Sequence, residues 1–183
     1  MNKNDKLAKA YSTFIEVPWS ANAAPAQRVI FCVYDEEDER KLRFGMESFR
    51  SATREAGHGW EEYDLTDSFA GWLSGHPYAE EYFLEPEYLE TVLNGYLDYI
   101  VDGFTAFIGE KAPDAGTVVA LTGVGSLFGF LKVNAVVEKL APLVAGRLLV
   151  FFPGSCNDNN YRLLDAYDGW NYHAVPIIAG KEY

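Results

Sequence analysis

The sequence predicts an α/β fold: a mainly parallel sheet of about five strands flanked by helices, in a three-layer Rossmann-like or degenerate P-loop-like arrangement. Three observations predict it. Short continuous apolar runs at residues 28–34 (RVIFCVY), 117–122 (TVVALT) and 147–152 (RLLVFF) read as strands buried on both faces. Between them, apolar residues recur at the three- and four-residue spacing of amphipathic helices. Strand and helix alternate along the chain, which favours parallel strands joined by crossover helices.

Each element follows from local chemistry. Residues 5–15 place Leu7, Tyr11, Phe14 and Ile15 on one helical face. Residues 17–27 (VPWSANAAPAQ) hold two prolines and several small residues and read as a loop,. Residues 1–27 are thus a helix-and-loop arm of one α/β domain spanning 1–183. Strand 28–34 follows. Asp35 then suits a helix N-cap, with Glu36, Glu37 and Asp38 in the first turn, where the helix dipole favours them,. Leu42, Met46, Phe49 and Ala56 mark one face of that helix, which stops at Gly57,. Residues 60–65 form a second strand. A short helix carrying Phe69, Trp72 and Leu73 ends near Gly75-His76-Pro77.

The longest periodic stretch runs from Leu89 through Val92, Tyr96, Ile100 and Phe104 to Ile108, and predicts a helix starting near Pro86. Strand 117–122 leads into the turn Gly123-Val124-Gly125-Ser126 and a largely apolar helix over 128–140. Strand 147–152 is expected to break at Pro153-Gly154,. The polar segment 155–171 is expected to hold a short helix over 161–166, and residues 172–178 a fifth strand.

Composition narrows the function. Of 183 residues, 49% are hydrophobic and 23% charged, a globular composition. The formal net charge is −12 and the isoelectric point about 4.6, which disfavours direct contact with nucleic acid, because that affinity rests on Lys and Arg. A basic protein partner fits better. Aromatics reach 15% (12 Tyr, 12 Phe, 4 Trp), serving a core or protein–protein contacts. Cys32 and Cys156 form no CxxC pair, and His58, His76 and His173 have no metal-ligand spacing,. No metal and no cofactor are expected. The first residues, MNKNDKLAKAYSTF, lack a signal-peptide core. No apolar run nears the roughly 20 residues of a membrane span, so the expected location is cytoplasmic and away from membranes.

Candidate ligand or partner residues lie beyond the C-terminal ends of the strands, where parallel sheets bind: Asp35; Thr122, Gly123, Gly125 and Ser126; Pro153 and Gly154; and Asn157 and Asp158. The glycine turn could cradle an anion with backbone N–H groups. It lacks GxxxxGK[ST], and GVGS does not extend to GxGxxG because residue 128 is Phe,. Ser126 and Ser155 lack the G-x-S-x-G elbow of a nucleophile,. The carboxylate clusters at 35–39 and Glu80-Glu81 suit helix starts and solvated faces. Residues 157–160 (NDNN) could ligate a cation, or serve as a turn and helix cap. No catalytic constellation emerges, and Leu7, Tyr11 and Phe14, with the long helix over 87–110, are the candidate partner surfaces.

The residues 121–127 (LTGVGSL), 130–133 (FLKV) and 149–154 (LVFFPG), with 159–163 (NNYRL), 171–174 (NYHA) and 31–40 (FCVYDEEDER), resemble the signatures of the BrxB family of BREX bacteriophage-exclusion systems. Lys132 stands where the family's FLR-like step more usually has arginine. The resemblance implies a non-catalytic assembly component that contacts larger ones: a PglZ-like protein, an AAA-type ATPase or a DNA methyltransferase. A homodimer also remains open. The competing expectation is a nucleotide- or phosphate-binding protein, or a weak phosphoester-processing enzyme, that uses the turn at 122–126 with Asp35 and Asp158 near a divalent ion.

Overall fold

The computed structural model describes residues 2–170 and 174–181. Five strands pair side by side in parallel: β1 (Val29–Tyr34), β2 (Gly59–Asp64), β3 (Thr117–Thr122), the first part of β4 (Arg147–Asn157) and β7 (Val175–Ile178), in the order β2-β3-β4-β1-β7. The first-to-fifth order of these strands is therefore 2-3-4-1-5. It matches neither 3-2-1-4-5-6 nor 2-1-3-4-5, the two common doubly wound orders. Two further strands, β5 (Asn160–Leu163) and β6 (Ala166–Trp170), pair antiparallel with the end of β4 and with each other. The seven-stranded sheet is mixed, where a mainly parallel one was expected.

Alternation along the strands divides the core. Phe31, Val119, Leu121, Leu148, Val150 and Phe152 face one way, towards α4 (Ser68–Ser74), α6 (Leu93–Lys111) and α7 (Val133–Leu140). Ile30, Cys32, Val118, Ala120, Leu149 and Phe151 face the other, towards α1 (Lys3–Ile15) and α3 (Met46–Glu55). A period of two places successive residues on opposite faces, so each continuous apolar run supplies both layers. The short helices α2 (Glu39–Phe44) and α5 (Ala79–Leu84) complete the set among the described residues.

Several boundaries differ from the sequence expectation, each for a local reason. The helix expected over 36–56 divides into a 3₁₀ turn (Glu36–Asp38), α2 and α3, parting at Gly45. Asp35 makes no capping bond there; its carboxylate takes Lys3 Nζ instead. The long helix begins at Leu93, because residues after Pro86 form a 3₁₀ turn (Pro86–Thr91). The expected turn at 123–126 is largely a 3₁₀ turn (Val124–Leu127), and irregular backbone at 128–132 replaces the first part of the helix expected over 128–140.

Pro153 and Gly154 do not break β4. Pairing with β3 ends at Leu121–Val150, while pairing with β1 continues to Tyr34–Pro153. The Pro153 carbonyl accepts from Leu164 N–H at 2.9 Å, so the missing proline N–H faces the side that β3 has already left. β5 then takes that side. The helix expected over 161–166 is instead a hairpin. Asp158 and Asn159 have φ of 49° and 64°, the paired left-handed residues of a two-residue type I′ turn. That accounts for the polar run at 157–160 as hairpin chemistry. The hairpin is tied back by the buried Asp168, whose Oδ1 accepts from Val133 N–H at 2.8 Å at the start of α7. Of the expected fifth strand, 175–178 is β7, and residues 171–173, including His173, lie outside the described residues.

Candidate functional site

The strand ends line two open clefts, each of about 400 Å³. The first lies between α1 and the ends of β1, β4 and β7, and is bordered by Lys3, Asp35, Asp38, Gly154 and Asn157. The second lies across the ends of β3 and β4, bordered by Glu39, Arg43, Thr66, Gly123, Ser126 and Pro153, with Gly125 also at its edge. Thr122 is buried beneath, its Oγ1 without a hydrogen-bond partner. Asp158 stands apart in the exposed hairpin turn.

Much of the charge in these clefts is engaged in internal contacts, while Lys6 also borders the first cleft. Lys3 pairs with Asp35, and Lys41 Nζ lies 2.5 Å from Asp38 Oδ1. In the second cleft, the Arg43 guanidinium reaches Glu39 Oε1 at 2.6 Å, Asp64 Oδ2 at 3.2 Å and Thr66 Oγ1 at 2.6 Å. Tyr34 donates its hydroxyl to Glu39. Burial, and then Glu39, push the Tyr34 phenol up, so it stays a neutral donor. An incoming phosphate would meet Glu36 and Glu39 beside a guanidinium that three oxygens already hold.

The glycine turn has a packing explanation. Gly123 has φ of 71°, and a Cβ there would lie 2.4 Å from Asp64 Oδ1 and 2.5 Å from Thr66 N. The turn after β2 presses on the end of β3, and only glycine leaves room. Ser126 Oγ lies 2.8 Å from the carbonyl oxygens of Leu65 and Gly123, so it ties the same two turns together. The following 3₁₀ turn has four residues, too few for the dipole of a true helix. His58 bonds the Gly116 carbonyl and stacks on Trp19, and His76 packs on Tyr82.

Asp64 organises this corner. Burial raises its pKa, but the hydroxyl and N–H of Thr66 and the Arg43 guanidinium outweigh that, holding the carboxyl below its ordinary range. A depressed folded pKa gives stability that is full above the unfolded value of about 3.9 and lost as pH falls through the folded one. Asp64→Asn is therefore expected to lower the urea midpoint at pH 7, with the gap to wild type closing below about pH 4. A gap that stays constant from pH 7 to pH 2.5 would show that the carboxylate charge has no part in this corner.

The stripe on α1 is turned inward. Leu7 and Tyr11 are 1% and 0% exposed, and Tyr11 shares a 2.6 Å hydrogen bond with Thr53 Oγ1. Phe14 is partly buried against the same layer. Leu7 and Tyr11 cannot meet a partner while α1 is packed, which corrects the expectation of a docking face built on them. On the long helix, Tyr96, Ile100 and Phe104 are likewise buried.

Sequence reasoning missed a different surface. Tyr78, Phe83, Leu84 and Tyr88, on α5 and its flanks, are exposed. The signal that could have found it is segmental charge. Residues 55–110 contain 13 of the 27 acidic residues and none of the 15 basic ones. The chain's net negative charge thus resides in that segment. Among the described residues, no helix is long and apolar enough to cross a membrane.

The family model described as "BREX protein BrxB" matches residues 78–177. No curated protein and no solved structure matches. The matched span covers α5 to β7, including the turn at Gly123 and the β4–β6 hairpin. The chain belongs to the BrxB family, a family of BREX phage-defence proteins.

Proposed function

We propose that this chain is a non-catalytic assembly component of a BREX phage-defence complex, which holds larger components such as the PglZ-like protein or the AAA-type ATPase. The observation that carries the reading is the family match over residues 78–177. The geometry supports it. The signature turn at Gly123 and the Pro153-Gly154 step have packing roles, and the Arg43 guanidinium beside that turn is held by the chain's own oxygens.

The test is affinity purification of the tagged protein from its native host, followed by mass spectrometry. Recovery of a PglZ-like protein, an AAA-type ATPase or the methyltransferase is the expected result. A protein that elutes alone and gives saturable heat with MgATP in calorimetry would replace this reading with the nucleotide-binding one.

A further inference from the structure

We propose that α5 and the 3₁₀ turn after it form a docking platform for a basic amphipathic segment of another protein, apolar on one side and rich in Lys and Arg on the other. The inference rests on the assembly reading and gives it a surface. Phe83 and Leu84 are 71% and 82% exposed, with Tyr78 and Tyr88 also exposed on the same eleven-residue stretch. Large apolar side chains so close together on a soluble surface mark a contact site.

The platform is fixed from below. Tyr82, between Glu81 and Phe83, is buried and packs edge-on against His76 at 5.0 Å, and His76 meets Trp72. That anchoring holds α5 in place while leaving Phe83 and Leu84 outside the core. Continuity with the family points the same way: the matched region opens at Tyr78, whereas α1 lies outside it.

Charge selects the partner. Glu80, Glu81, Glu85, Glu87 and Glu90 surround the apolar residues, and no Lys or Arg occurs between Arg54 and Lys111. Such a field attracts cationic protein segments and repels phosphate backbones and anionic lipid surfaces. Apolar anchors inside a charged rim are the usual anatomy of a specific protein contact. An amphipathic segment laid in a groove is one recurrent form of it.

The experiment uses the full chain in two assays. In the first, the tagged wild type, the double variant Phe83→Ser/Leu84→Ser and the control Phe44→Ser are each purified from the native host. Phe44 is 91% exposed and lies outside the acidic segment. In the second, each protein is titrated with a fluorescent amphipathic peptide of leucine and lysine, and with a scrambled peptide of the same composition.

The expected result is loss of the BREX components from the double variant alone, and peptide affinity weakened about thirtyfold, the scale of two truncated anchors. The variants should keep the wild-type melting temperature. If the double variant recovers the same components as wild type, the platform is wrong and the assembly reading stands. If wild type recovers none, the assembly reading fails and the titration decides the platform. Equal binding of the ordered and scrambled peptides, no binding, or binding unchanged by the double variant overturns it.

Discussion

Gly154→Ala is expected to destabilise the protein by about 3 kcal/mol, the sum expected from backbone strain and overpacking. For a chain of this size that lowers the melting temperature by about 6–12 °C. Gly154 has φ of 154°, and a Cβ there would sit 1.9 Å from the Arg162 carbonyl oxygen and 3.0 Å from Leu164 N. Both are backbone atoms of the β5 hairpin, so relief requires the hairpin to leave β4. Gly125→Ala is the control. Its Cβ would meet only Pro153 Cγ, at 3.5 Å, an ordinary contact, and a change within about 0.5 kcal/mol is expected. Thermal denaturation by circular dichroism separates the two. Equal midpoints for both variants would mean that β5 does not lie against Gly154.

The contrast shows what a sequence carries and what it does not. The strands β1 and β3 were legible because every residue of each is buried, and a strand covered on both faces writes itself as a continuous apolar run. The hairpin was not. Tyr161 and Leu164, and likewise Leu163 and Ala166, stand three residues apart as on a helix,, and a four-residue strand with alternating burial is too short for periodicity to decide. What decides is the left-handed pair Asp158-Asn159, a signal in residue type rather than hydrophobic period.

The site was legible in the same partial way. The sequence placed the candidate residues beyond strand ends; most of them border one of the two clefts, but Thr122 is buried, Asp158 stands apart in the hairpin, and Pro153-Gly154 lie within β4. It could not say why Gly123 and Gly154 are glycines. Their neighbours Asp64, Thr66 and Arg162 approach through tertiary structure, and spacing along the chain does not record such approaches. The acidic segment needed no coordinates, only charge counted by stretch instead of over the whole chain.

Phe152→Ala is expected to cost about 4 kcal/mol, within the range for deleting a buried aromatic ring, and to lower the melting temperature by roughly 12 °C. Phe152 stacks on Phe31 with ring centres 5.5 Å apart, and Tyr161 meets both edge-on at 5.2 and 5.7 Å. All three rings are buried. They come from β1, β4 and β5, so this triad joins the parallel sheet to the antiparallel hairpin. Removing the middle ring opens a cavity that the surrounding strands cannot close without shifting register, whereas Phe152→Leu keeps most of the volume and should cost less than about 1.5 kcal/mol. Hydrogen exchange distinguishes a local from a global effect. Faster exchange at the β5 amides, beyond what the lowered stability produces elsewhere in the sheet, is expected if the triad clamps the hairpin. If β5 exchanges no faster than β3 in the variant, the hairpin is held by Asp168 and the β4 ladder alone, and the aromatic triad contributes only to the common core.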